Sequence, residues 1–94
     1  MNELEKFRKE IDEVDDAILE NLSKRMDIIE RLYEYKRKNN LSIVSEDRKN
    51  KMEKRWLIKK LNLTPSFLRR FLIFIHNESV SRQFQKFNEE NNEK

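Results

Sequence analysis

The sequence predicts an all-α fold of three helices, one very long and two shorter, paired as an intertwined helical homodimer. Three observations carry this. The 94 residues include no glycine and one proline, which argues against sheets with tight hairpins, since those turns need residues that tolerate positive φ. Apolar residues recur at helical spacing, first as Leu4, Ile11, Val14, Ile18, Leu22, Ile29 and Leu32–Tyr33. A helix carrying that stripe is about 55 Å long. A compact domain of this size has a radius of gyration of only about 13 Å. Such a helix protrudes with its stripe exposed unless a second chain covers it; a kinked first helix in a monomeric bundle is the competing arrangement.

The first helix is expected from about Glu3 to about Asn39. Asn2 serves as N-cap, with Glu5 placed to complete a capping box and acidic residues crowding the first turns. Lys36, Arg37 and Lys38 complement the far end, and Asn39–Asn40 stop it. Leu41-Ser42-Ile43-Val44 reads as an extended linker. A second helix is expected from the Ser45 N-cap through Glu46 and Asp47 to about Leu61. Thr64-Pro65 is a third start signal, an N-cap followed by proline at the first helical position. That last helix carries Phe67–Leu68, Phe71–Leu72, Ile75, Val80 and Phe84. Residues 1–87 form one domain, and residues 88–94, which begin NEENN, are expected to be a flexible tail.

Composition excludes several chemistries. Without cysteine there are no disulfides, thiolate metal sites or thiol nucleophiles, and a lone histidine makes a zinc site improbable. No metal or cofactor is expected. The charged N-terminus does not resemble a signal peptide, and no apolar run approaches membrane-spanning length, so a cytoplasmic protein without membrane contact is expected. Residues 46–61 hold seven Lys/Arg against three Asp/Glu, while residues 1–24 hold four against eight. The basic residues Arg48, Lys49, Lys51, Lys54, Arg55, Lys59 and Lys60 spread around the whole helical circumference. Nucleic-acid recognition needs a coherent basic face, so no nucleic acid is expected.

Two cations interrupt the apolar stripe. Arg25 and Lys36 are eleven residues apart and project within about 20° of each other. Buried cations are costly unless something negative meets them. Either a carboxylate of the partner chain (Asp12, Asp15 and Glu20 are available) or a bound anion satisfies them. Ser79 and Gln83, one turn apart on the last helix, point a hydroxyl and an amide inward. Arg48 shares a face with Met52 on the second helix. Arg8 lies about 100° around the first helix from Arg25, so the two serve one pocket only if an antiparallel partner supplies Arg8. The remaining residues have simpler readings: Ser45 as a helix cap, Trp56, Tyr33 and Tyr35 as packing or dimer residues, and His76 at an exposed or rim position without a role.

These residues resemble the all-helical chorismate mutase family. Leu4 through Arg8, Ile11, Asp12, Asp15, Ile18 and Leu19 are similar to its opening signature. Lys24-Arg25-Met26, Lys36, Ile43 before Arg48, and Glu78-Ser79 with Gln83 continue it, covering roughly residues 4–85. The resemblance implies an isomerase of aromatic amino acid biosynthesis in the shikimate pathway, which converts the small dicarboxylate chorismate to prephenate by a pericyclic rearrangement. That reaction requires no nucleophile, metal or proton transfer. By resemblance, Arg25 and Arg8 of the partner subunit hold carboxylates, Lys36 and Gln83 donate to the breaking ether oxygen, and Arg48 and Ser79 orient the substrate. Lys36, Gln83 and Arg25 are thus the implied catalytic residues. The chain departs from the family where acidic residues usually meet the substrate's ring hydroxyl: the matching positions hold Ser45 and Lys49. Isochorismate-pyruvate lyases share the fold and the cation set and lack the glutamate at the second position. They are one alternative, and a mutase-like ligand-binding regulatory domain is the other.

Overall fold

The computed structural model describes residues 2–92. The described residues form three helices, α1 (Glu3–Lys38), α2 (Glu46–Leu57) and α3 (Pro65–Asn92), and no strand. The all-α expectation therefore holds. Asn2 accepts from the amide of Glu5 at 2.8 Å, as a capping residue should. The carboxylate of Glu5 accepts from Arg8 at 2.9 Å instead of closing a capping box. At the other end α1 stops without glycine. Asn40 takes a positive φ of 55°, a conformation that asparagine tolerates better than most residues. The amide of Leu41 then reaches Lys36 O at 2.8 Å and that of Asn40 reaches Arg37 O at 3.4 Å, which is the Schellman pattern of helix closure.

Two helix ends differ from the sequence reading. α2 ends at Leu57, short of the expected Leu61. The apolar residues that follow, Ile58, Leu61 and Leu63, are exposed. The segment is spent instead on reversing the chain toward Thr64, whose hydroxyl accepts from the amide of Phe67 at 3.0 Å to start α3. α3 runs past Asn88 to Asn92 despite the polar composition of that stretch. Long-range polar contacts reach this part of the helix. The buried phenol of Tyr33 donates to Glu90 at 2.8 Å, and Arg37 lies 3.7 Å from the same carboxylate. Burial and the adjacent carboxylate push the Tyr33 phenol up, which keeps its proton in that bond. Of the expected tail, residues 93 and 94 lie outside the described residues, as does Met1 at the start of the domain.

α3 packs on both other helices. Met52, Leu72 and Ile75 are the buried centre, with Leu22, Trp56 and Phe71 against it. Trp56 stacks on Phe71 with centroids 6.0 Å apart, so these rings are packing residues. Glu30 binds Arg82 at 3.5 Å and Lys86 at 3.4 Å, joining α1 to α3 farther along. The N-terminal half of α1 touches neither helix closely enough to be covered: Leu4, Phe7, Ile11, Val14, Ile18 and Leu19 are all exposed. The described chain is correspondingly elongated, with a radius of gyration of 17.3 Å and a longest dimension of 58 Å. No described helix is long and apolar enough to cross a membrane.

Tyr33→Phe removes only the phenolic donor. The expected cost is about 1 kcal/mol in a denaturation measurement, the usual net worth of one such bond. Hydrogen exchange should speed up selectively in the last turns of α3. Uniform exchange behaviour with unchanged stability would show that Glu90 does not hold this end.

Candidate active site

The C-terminal half of α1, the linker, the first turns of α2 and the middle of α3 enclose a cavity of about 260 Å³. α1 contributes Arg25 and Lys36 from one face, with Ile28, Ile29 and Leu32 between them as an apolar wall. Their eleven-residue separation puts the two cations about 16 Å apart along the axis, one toward each end of the cavity. The linker adds Ile43 and Ser45, α2 adds Arg48 and Met52, and α3 adds His76, Ser79, Val80 and Gln83. The α3 set follows the i, i+3, i+4, i+7 spacing of a single helical face.

Hydrogen bonds hold these groups in place from behind. Ser79 Oγ donates to Ile75 O at 2.9 Å and accepts from Arg25 Nη1, which fixes the guanidinium against α3. Gln83 is 2% exposed and its Nε2 donates to Ser79 O at 3.2 Å. Its Oε1 is buried without a hydrogen-bond partner among the described residues. Such an atom carries a desolvation cost until something donates to it. Lys36 Nζ donates to Ile43 O at 2.8 Å, drawing the linker over the end of α1. Ser45 Oγ accepts from the amide of Arg48 at 3.2 Å, so one hydroxyl both caps α2 and lines the cavity.

The electrostatics are one-sided. Arg25, Lys36 and Arg48 face the cavity, and no aspartate or glutamate lines it among the described residues. None of the three makes an ion pair within the described chain, where carboxylates pair with Arg8, Arg37, Lys51, Arg69, Arg82 and Lys86 instead. Burial holds the Arg25 guanidinium below the usual arginine range, and the like charge of Arg48 pushes it the same way. Burial alone pushes the Lys36 ammonium down. An intramolecular carboxylate is therefore not what meets these cations. A neutral wall of aliphatic side chains flanked by cations suits a small molecule with an apolar body and more than one negative group.

The structure brings together six of the eight residues singled out from the sequence: Arg25, Lys36, Ser45, Arg48, Ser79 and Gln83. Lys49 is half-buried nearby but is not part of the wall. Arg8 sits about 25 Å along α1 from Arg25, exposed and paired with Glu5. It has no access to the cavity of its own chain. One wall residue was left without a role by the sequence reading. His76 lines the cavity, and the signal for it is its spacing of three, four and seven from Ser79, Val80 and Gln83.

A family model described as chorismate mutase type II matches residues 7–84, most of the chain. The chain belongs to the chorismate mutase type II family. Membership supports a chorismate mutase-type function and agrees with the all-helical architecture. The matched range begins at the exposed half of α1 and ends just beyond Gln83, so it contains every cavity-lining residue. Comparison with curated proteins and with solved structures returned no match.

Proposed function

We propose that the protein is a chorismate mutase, which rearranges chorismate to prephenate in a site completed by a second copy of the chain. The supporting observation is the cavity itself: three cations and a buried amide converge on it, and no carboxylate of the described chain neutralises them. The pericyclic reaction needs the substrate held in a reactive conformer and the charge developing on the ether oxygen stabilised. Arg25 binds one carboxylate of the substrate, with Arg48 and Ser79 orienting the other polar groups. Lys36 and Gln83 donate to the ether oxygen. Both retain the capacity for this, since an ammonium has three N–H donors and a primary amide has two, while each spends one within the chain. Gln83 is anchored through Ser79, so its orientation is set before substrate arrives, which is where such donors gain their effect.

The exposed stripe on the first half of α1 supports the homodimer. A contiguous apolar face of this kind is more than a monomeric surface usually leaves open. Antiparallel pairing of two α1 helices covers it and carries Arg8 of the partner subunit to the Arg25 end of the cavity. The second carboxylate of the substrate is then bound across the interface.

Incubating the purified protein separately with chorismate and isochorismate and identifying the products tests the reading. Prephenate from chorismate is the expected result. Salicylate and pyruvate from isochorismate, without prephenate, would replace the mutase by a lyase on the same fold. Binding without turnover of either would make it a ligand-sensing domain.

A further inference from the structure

His76 lies on the cavity wall beside acceptor atoms that are already partly engaged. Ser79 Oγ accepts from Arg25, Ser45 Oγ accepts from the amide of Arg48, and Ile43 O accepts from Lys36. Arg25, Lys36 and Arg48 can only donate. The wall is therefore rich in donors, which suits carboxylates and an ether oxygen but not a hydroxyl that must itself donate. Ser45 Oγ and Ser79 Oγ each keep one lone pair beside a bond already made, and two further side-chain acceptors are wholly unengaged among the described residues. Gln83 Oε1 belongs to an amide anchored deep on α3, and the imidazole of His76 sits three residues before Ser79. No hydrogen bond among the described residues engages the His76 ring. It is also the one cavity-lining residue able to exchange acceptor for donor character within the range of pH 5–8.

We propose that the neutral imidazole of His76 accepts a hydrogen bond from the ring hydroxyl of the bound dicarboxylate and so sets specificity for hydroxylated substrates. The inference rests on the reading of the cavity as a chorismate site and assigns the hydroxyl contact within it. The surroundings favour the neutral ring. Burial lowers its proton affinity first, and Lys49 of α2 next, with Arg25 and Lys36 of α1 acting in the same sense and Glu46 of α2 opposing them. Arg48 of α2 lines the same cavity. Neutral at pH 7, the ring offers a lone pair. Protonation at lower pH removes it and turns that nitrogen into a second donor. This also gives Ser45 and Lys49 a context, since an acceptor from α3 makes an acidic residue at those two positions dispensable.

The single histidine of the chain gives an unambiguous readout by nitrogen NMR. At pH 7, addition of chorismate at millimolar concentration is expected to move the resonance of the unprotonated ring nitrogen in the direction of an accepted hydrogen bond. In turnover assays His76→Leu is expected to lower kcat/KM by about tenfold, and His76→Gln, which restores an acceptor oxygen, to recover most of it. The wild-type pH profile should fall on the acid side as the ring protonates, and His76→Leu should lose that limb. A wild-type kcat/KM in His76→Leu, or activity that rises on protonation, would overturn the inference. If chorismate is bound but not converted, the proposed reaction fails while a shifted nitrogen resonance still upholds the hydrogen bond. A resonance that stays put overturns it whether or not turnover is seen.

Discussion

Lys36→Met is expected to lower kcat for chorismate by about a hundred- to a thousandfold, the usual effect of deleting one preorganised donor from a site of developing negative charge. KM should change far less, because the ether oxygen carries little charge until the bond breaks. The fold should survive the change. Burial keeps the Lys36 ammonium below the usual lysine range, so the folded chain binds this proton less tightly than the unfolded chain does. Stability therefore rises as pH climbs from the folded value to the ordinary lysine value, and below that window the charge weighs against folding. Methionine keeps most of the aliphatic stem and removes the charge. Steady-state kinetics and thermal denaturation at pH 7 without ligand are the measurements: kcat collapses while the melting temperature stays level or rises. A clearly lower melting temperature would make Lys36 a structural tether for Ile43, to which it donates at 2.8 Å.

Arg8→Ala and Arg25→Ala are each expected to be nearly inactive alone and to regain about a quarter of wild-type activity when mixed and allowed to exchange subunits. The arithmetic follows from twofold symmetry. Random exchange of equal amounts makes about half the dimers hybrid, and each hybrid has one site with both arginines and one with neither. Geometry motivates the experiment: the two residues are about 25 Å apart along a continuous helix, and only Arg25 lines the cavity. Activity measured before and after exchange, with the subunit distribution checked by native mass spectrometry, decides it. Hybrids that form without recovering activity would remove Arg8 from the site. A chain that stays monomeric at micromolar concentration would remove the dimer itself.

Much of the fold was legible because each helix start has a local chemical cause. Asn2, Ser45 and Thr64 each accept from an amide three residues on, which one residue and its neighbours suffice to predict. Helix ends were less legible. α2 stops short of Leu61, and α3 continues past Asn88, where Glu90 meets the buried Tyr33 and Arg37, a tertiary contact that no local pattern announces. The cavity was legible where polar residues broke an apolar face, as Arg25, Lys36, Ser79 and Gln83 do. Lys49 entered only by standing where the family usually has an acidic residue; it is one residue from Arg48, neighbours on a helix diverge by about 100°, and of the two Arg48 lines the wall. His76 was hidden for the opposite reason. Its only sequence signal is a helical spacing shared with Ser79, Val80 and Gln83, which acquires meaning once the facing helices close around that face.

The double duty of Ser45 has an evolutionary consequence. Aspartate and serine cap helices about equally well, so an exchange between them at this position leaves the start of α2 intact. The same exchange adds or removes a negative charge on the cavity wall, beside Arg48. Ligand preference can therefore drift at position 45 without any compensating change in the scaffold. A hydroxyl that both caps the helix and lines the cavity lets one substitution change the electrostatics of the site while the helix start is kept.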